Sequence, residues 1–155
     1  MTFALDLQRF AAKAKDKAND LVGNVVLLVA QELDKRSPVG DRERWAVNID
    51  RKSRGLPPVP KGYIGGHFRA NWQLGVNVKP SGEVAGVDPT GTATLGRITA
   101  AIPDQAAGKV YWLANNTPYA MRLEHGHSSI APEGMLGLTV VMFEGIVAEQ
   151  MARLK

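Results

Sequence analysis

Between Lys109 and Leu136 the chain has almost no slack, and that stretch, KVYWLANNTPYAMRLEHGHSSIAPEGML, limits the folds open to it. It begins with a period-2 pattern, Val110, Trp112 and Ala114 alternating with Tyr111 and Leu113, as a pleated strand requires. Asn115, Asn116, Thr117 and Pro118 stop the strand, because Asn tolerates unusual backbone angles and Pro118 lacks a ladder N–H. Tyr119 to Glu124 is long enough for one helical turn ending at Gly126. Pro132 occupies a position that a helix start accepts, where the N–H has no intrahelical partner. A last helix is expected from Pro132 to Lys155, with Leu136, Val140, Phe143, Val147, Met151 and Leu154 as its buried stripe.

Residues 3–35 read as one long amphipathic helix, its stripe formed by Leu7, Phe10, Ala14, Leu21, Val25 and Leu28. Leu21 to Ala30 is apolar nearly all round, which predicts burial on more than one side. Ser37-Pro38 ends that helix, since proline disfavours the helical conformation of the residue before it. Asn71 to Val78 alternates as a strand with Trp72, Leu74, Val76 and Val78 on one face. A turn at Pro80-Ser81-Gly82 and a short run from Glu83 to Val87 predict a hairpin. Thr92 to Ile102 carries a modest helical pattern. The expected architecture is one α+β domain over 1–155: a small antiparallel or mixed sheet covered by the long N-terminal and C-terminal helices, in two layers.

The totals exclude several classes of function. No apolar run is long enough to span a membrane, and MTFALDLQRF does not read as a secretory signal. Cysteine is absent, which rules out disulfides and thiolate metal sites and fits a cytosolic origin. The net charge of +4 is modest, but it is concentrated. From Lys35 to Arg54 there are seven basic residues against three acidic ones, a surplus equal to that of the whole chain. The block from Gly40 to Gly66 reads as an extended basic, Pro-rich loop holding Arg42, Arg44, Trp45, Arg51, Lys52 and Arg54 before Leu56-Pro57-Pro58-Val59-Pro60. Such a loop is either plain solvated surface, a contact with a neighbouring assembly, or a sequence-blind contact with DNA phosphates.

Catalytic and cofactor patterns are missing. There is no Gly-x-Ser-x-Gly, no phosphate loop and no paired carboxylates for acid–base work. His125 and His127 beside Glu124, with His67 elsewhere, offer too few spaced ligands for zinc and read as polar loop residues. No cofactor and no enzymatic activity are expected.

WLANNTPYAMRLEHGHSSIAPEGMLGLTV resembles the C-terminal signature of neck proteins of long-tailed bacteriophages, the tail-completion group that joins head to tail. The matched positions are Asn115, Asn116, Pro118, Tyr119, Leu123, Glu124, His125, Gly126, Ala131, Pro132, Gly134 and Met135. Ser37-Pro38-Val39 and Arg69-Ala70-Asn71-Trp72 are similar to two further family motifs, a Thr/Ser-Pro-Val and an Arg-x-Asn-Trp strand start. In the family these follow closely, so the 40–66 block looks like an insertion. The likeness covers roughly residues 3–39 and 69–145. It implies a helix at 92–102, and a virion protein made in the host cytoplasm that closes into a homo-oligomeric ring, a hexamer, around a DNA lumen. Its implied partners are copies of itself, a head-completion or connector protein, a tail terminator or tail tube protein, and the passing DNA.

Within that reading, candidate ring-interface residues are Leu21, Val25 and Leu28 on the first helix, with Asn115, Tyr119, Leu123, Glu124 and Met135 in the signature. The first-helix stripe serves equally well as plain core, Asn115 and Tyr119 as turn formers, and Glu124 as a local partner of Arg122. Pro38, Asn71, Trp72, Asn116, Pro118, Gly126, Pro132 and Gly134 are structural candidates. Three rivals stand beside it: a tail terminator capping the tail tube, a nucleic-acid-binding module using the Arg-rich loop, and a small hydrolase around Glu124, His125 and His127.

Overall fold

The computed structural model describes residues 3–154. Six α-helices and two strands are present among them: α1 Phe3–Arg36, α2 Ala46–Ser53, α3 His67–Ala70, β1 Trp72–Val76, α4 Thr92–Ala101, β2 Tyr111–Asn115, α5 Ala120–Glu124 and α6 Leu136–Arg153. The fold is α+β with long terminal helices, and its sheet is the antiparallel pair β1–β2. Leu74 faces Leu113 and Trp72 faces Asn115, so these side chains share one sheet face. Ala30 and Leu33 of α1, Ile98 of α4, Phe68, Trp72, and Ala131 and Met135 before α6 form the core on that face.

Ser37, just past the end of α1, joins the helix to the sheet. Its hydroxyl donates to the Leu33 carbonyl and accepts from the Trp72 indole, both at 2.7 Å. Arg69 donates to the Ser37 and Pro89 carbonyls at 3.2 and 2.7 Å, and its Nε lies 3.6 Å from the buried Asp34 carboxylate. Burial pushes the Asp34 carboxyl up from its ordinary range, against the pull of Arg69. Gly91 at φ +80° completes the junction, since a Cβ there would lie 2.0 Å from the Asp34 carboxylate. Asp88 caps α4, accepting from the Gly91 and Thr94 amides and the Thr94 hydroxyl at 2.7–2.9 Å.

The expected hairpin after β1 does not form. Asn77 at φ 61° ends β1 by bonding Val110 in both directions, and β2 becomes its strand partner. Residues 80–84 are instead gripped by side-chain amides. Asn71, fully buried, accepts from the Val84 N–H at 2.7 Å and donates to the Val84 carbonyl at 3.1 Å. Gln73 and Asn116 hold the Gly82 carbonyl at 2.9 and 3.1 Å, and Asn116 also reaches Pro80. These amides supply the pairing that a returning strand would have made.

The 40–66 block is likewise not a simple extended loop. A 3-10 turn at Arg42–Arg44 leads into α2, and the prolines fold back over that helix. Buried Asn48 fixes the return, donating to the Arg42 and Val59 carbonyls and accepting from the Val59 amide at 2.6–2.8 Å. Arg51 donates to Pro57, and Trp45 packs on Tyr63 at 4.9 Å between ring centres. The block is a small folded arm.

Replacing Ser37 by Ala should lower the unfolding free energy by about 1–3 kcal/mol, because it orphans the buried indole N–H. Thermal unfolding measures it, and the loss should shrink markedly in a Trp72→Phe background. An equal loss there would mean that Ser37 acts without Trp72.

Candidate functional site

The signature segment is built around one carboxylate. α5 carries Glu124 to the start of α6, where it accepts from the backbone amides of Met135, Leu136 and Gly137, each at 2.9 Å. Met135, at the helix N-cap position, supplies no side-chain bond of its own. An acid from outside the helix therefore satisfies the orphan donors and meets the positive end of the dipole. Burial pushes the Glu124 carboxyl up, but the three amides outweigh it and hold its pKa below the ordinary value. Two glycines let the chain close on itself. A Cβ at Gly134 would lie 2.4 Å from the Glu124 carbonyl, and one at Gly126 would lie 2.6 Å from the Pro132 carbonyl. Pro132 lies in the turn before α6, which starts at Leu136, four residues later than the proline signal predicts.

Most of the signature side chains thus serve the subunit itself. Met135 is buried in the core and Leu123 packs against it, so neither is a surface contact. Asn115 donates to the Phe68 carbonyl at 2.8 Å and accepts from the Thr117 amide and hydroxyl. Glu124 is taken up by the cap rather than by Arg122. The Tyr119 hydroxyl pairs with His67 Nδ1 at 2.8 Å, and Pro118 lies exposed beside it. His125 and His127 are exposed in the turn after α5, and no three metal-ligating side chains converge among the described residues.

The apolar stripes tell a different story. α6 runs antiparallel beside the second half of α1: Met142 meets Arg36 near one end, and Lys17 donates to the Leu154 carbonyl at the other. Leu21, Val25 and Leu28 are half-buried along this stretch. The expected stripe of α6 is buried only in part, however. Val147 and Leu154 are half-buried, as is Ile146, and the fully buried side chains are the polar Thr139 and Gln150, whereas Leu136, Val140, Phe143 and Met151 are exposed and Val141 is 82% exposed. The Gln150 amide nitrogen has no hydrogen-bond partner among the described residues. The first half of α1 fares the same way. Every residue from 3 to 16 is exposed, Leu7 and the 71%-exposed Phe10 included, because α6 ends beside Lys17. A cleft of about 300 Å³ bordered by Trp112, Met121 and Leu136 extends the bare apolar surface past the start of α6.

The basic residues are more engaged than their number implies. Arg44 pairs with Asp41 at 3.5 Å, Arg54 with Asp50 at 3.4 Å, and Arg51 is bonded to Pro57. Lys52 is exposed and Arg42 half-buried. The arm displays as much apolar as basic surface: Val47 and Ile49 on α2 and Ile64 beyond it are more than half exposed, and Trp45 is 36% exposed. A cleft of about 530 Å³ between the end of α1 and the start of α6 is lined by Lys35, Arg36, Arg44 and Arg69. Three of these already hold Glu32, Asp41 or Asp34, so the cleft is an internal ion-pair network rather than an open cradle for phosphate.

In comparisons with protein families, curated proteins and solved structures, nothing matches the chain. The geometry therefore carries the functional argument. Periodicity located the stripes, but not that the two fully buried side chains of α6 are polar while much of its apolar stripe is bare. The Glu124 cap was missed because an acceptor twelve residues ahead of the helix lies outside the usual local signal of an N-cap.

Glu124→Gln should lower stability by about 1–2 kcal/mol, since one neutral oxygen replaces a carboxylate at three amides. With its folded pKa depressed, Glu124 stabilises fully above its unfolded pKa and loses that contribution as pH falls through the folded value. The difference between variant and native protein should therefore shrink on acidification below the ordinary carboxylate range. Denaturant titrations across that range measure it, and an undiminished difference at low pH would assign the effect elsewhere.

Proposed function

We propose that this chain is a structural subunit of a bacteriophage neck, similar to the tail-completion proteins, that closes into a homo-oligomeric ring. The observation that carries the reading is the uncovered apolar surface of α6 and of the first half of α1. A helix apolar nearly all round is stable only when covered on more than one side, and patches of this extent mark interaction sites. The signature residues support the same reading from within. They hold the start of α6 by the Glu124 cap and the two glycine contacts, so the ring-forming helix is rigidly placed before any partner arrives.

A ring matches rotationally symmetric neighbours on a common axis. In this reading copies of the chain, a hexamer, surround the DNA between a head-side connector or head-completion ring and a tail-side terminator or tube ring. The protein works by geometry and needs no cofactor. Its arm, with Trp45, Val47, Ile49 and Ile64 exposed beside Lys52, has the surface of a protein contact, which favours a neighbouring ring over DNA phosphates as its target. Few basic groups on the arm are left unengaged for a phosphate backbone.

Light scattering of the purified protein should give a ring-sized particle that persists in high salt, and negative-stain images should show a central lumen. Antibody labelling should place it at the head–tail joint of finished virions. A lone subunit at every concentration, absent from virions, overturns the proposal. The double substitution Val47→Asp, Ile49→Asp should leave the ring intact and reduce its attachment in particles. A ring that fails to form would place the arm inside the subunit interface instead.

A further inference from the structure

We infer that the exposed first half of α1 from one copy docks on the outward side of α6 in a second copy, making the contact between subunits head-to-tail. This specifies the self-association on which the proposed ring rests, but does not depend on the phage assignment. The argument begins with α1 itself. Its fourteen exposed residues, 3–16, extend for about 21 Å at 1.5 Å per residue. Within it Phe3, Leu5, Leu7 and Phe10 are 47–82% exposed, an apolar surface of the kind that marks an interaction site. Phe3, Leu7, Phe10 and Ala14 prolong the same stripe that Leu21, Val25 and Leu28 continue beside α6. The chain's own α6 ends beside Lys17 and cannot follow that stripe further.

The outward side of α6 is a fitting receptor. Its 18 residues give about 27 Å of helix, enough to receive the exposed half of α1. Leu136, Val140, Phe143 and Met151 recur at helical spacing and are exposed along one stripe of it. The exposed apolar side chains of both helices together present on the order of 1,000 Å², the scale at which specific interfaces begin.

Charge and shape choose this pairing over like-with-like packing. The exposed half of α1 carries Arg9, Lys13 and Lys15 against Asp6 and Asp16, a surplus of one positive charge with Arg9 beside Asp6, whereas α6 exposes Glu144 and Glu149 against Arg153, a surplus of one negative charge. Packing α1 on α6 sets opposite surpluses together, while α1 on α1 would set like surpluses together and phenylalanine against phenylalanine. The contact is heterologous, because each copy offers one helix and receives the other, and repetition closes a ring when the rotation allows.

Phe10→Asp and Val140→Asp test it, since both side chains are exposed and neither belongs to the core. Near-UV circular dichroism from buried Trp72 should show each variant folded. In light scattering each variant alone should fall to a single subunit, with self-association weakened at least about 100-fold, as for an interface hot spot. Mixed in equal amounts they should form a 1:1 complex and nothing larger, because one intact α1 then meets one intact α6. Assembly that survives Phe10→Asp would point to α6 on α6, and assembly that survives Val140→Asp to α1 on α1; either overturns the inference. So do a mixture that does not pair and a native protein that never assembles. A native protein that assembles only as a pair, with the mixture still complementing, upholds this contact and removes the ring.

Discussion

A helix of 34 residues is longer than anything the rest of this chain lays against it, and the structure follows from that mismatch. At 1.5 Å per residue α1 reaches about 51 Å, while α6 runs about 27 Å and the strands have five residues each. The sheet, α4 and α6 all gather at residues 17–36. There Ala30 and Leu33 reach the core, and Ser37 just beyond binds Trp72. Scattered apolar residues on a protein surface need no explanation. A stripe that is half-buried from Leu21 to Leu28 and bare from Phe3 to Ala14 does, because the same periodicity has a partner at one end only.

Polar and apolar groups divide the work of the subunit in an unusual way. The interior joints are largely polar: Asn71 on Val84, Asp88 on the start of α4, Glu124 on the start of α6, and Arg69 between Asp34 and two carbonyls. The asparagine and carboxylate joints satisfy buried groups that would otherwise cost about 1–3 kcal/mol apiece, whereas Arg69 Nε and the Asp34 carboxylate stand 3.6 Å apart as an ion pair without a hydrogen bond. The large apolar side chains that a core would normally claim, Phe143, Val141 and Phe10 among them, remain outside. Directional bonds set the shape of the fold, and much of the apolar surface that non-directional burial would use stays exposed.

How far the sequence could be read depended on the range of the interaction. Helices α1, α4 and α6, the strand faces at Trp72, Leu74 and Leu113, and the helical turn at Tyr119 follow from local periodicity and stop signals, which need no knowledge of the partner. The hairpin at 83–87 was misread because Asn71 and Asn116 imitate a strand edge with side-chain amides, a substitution that no period-2 pattern reveals. The 40–66 block looked extended because its prolines were visible and the anchor, Asn48, is one ordinary residue in a charged run. The stripes were located correctly, but burial was assigned to them by default. For α6 only Val147 and Leu154 of the stripe are half-buried, and the fully buried positions are Thr139 and Gln150.

Gln150 shows why this arrangement belongs to the design of the surface rather than to loose packing. A buried amide nitrogen without a partner is a net cost, and turning α6 about its axis would expose it while burying Val141 or Met151. The Glu124 cap opposes that turn. Its carboxylate is bonded to three successive amides at the first turn, and Gly134 leaves no room for the chain to shift against it. Rotation of α6 would break charge-assisted bonds that are about twice as strong as neutral ones. The helix is therefore held with Val140, Val141 and Met151 exposed by groups at its end. Residues that look like a contact surface in the sequence act one step earlier, by deciding which side of α6 is left bare.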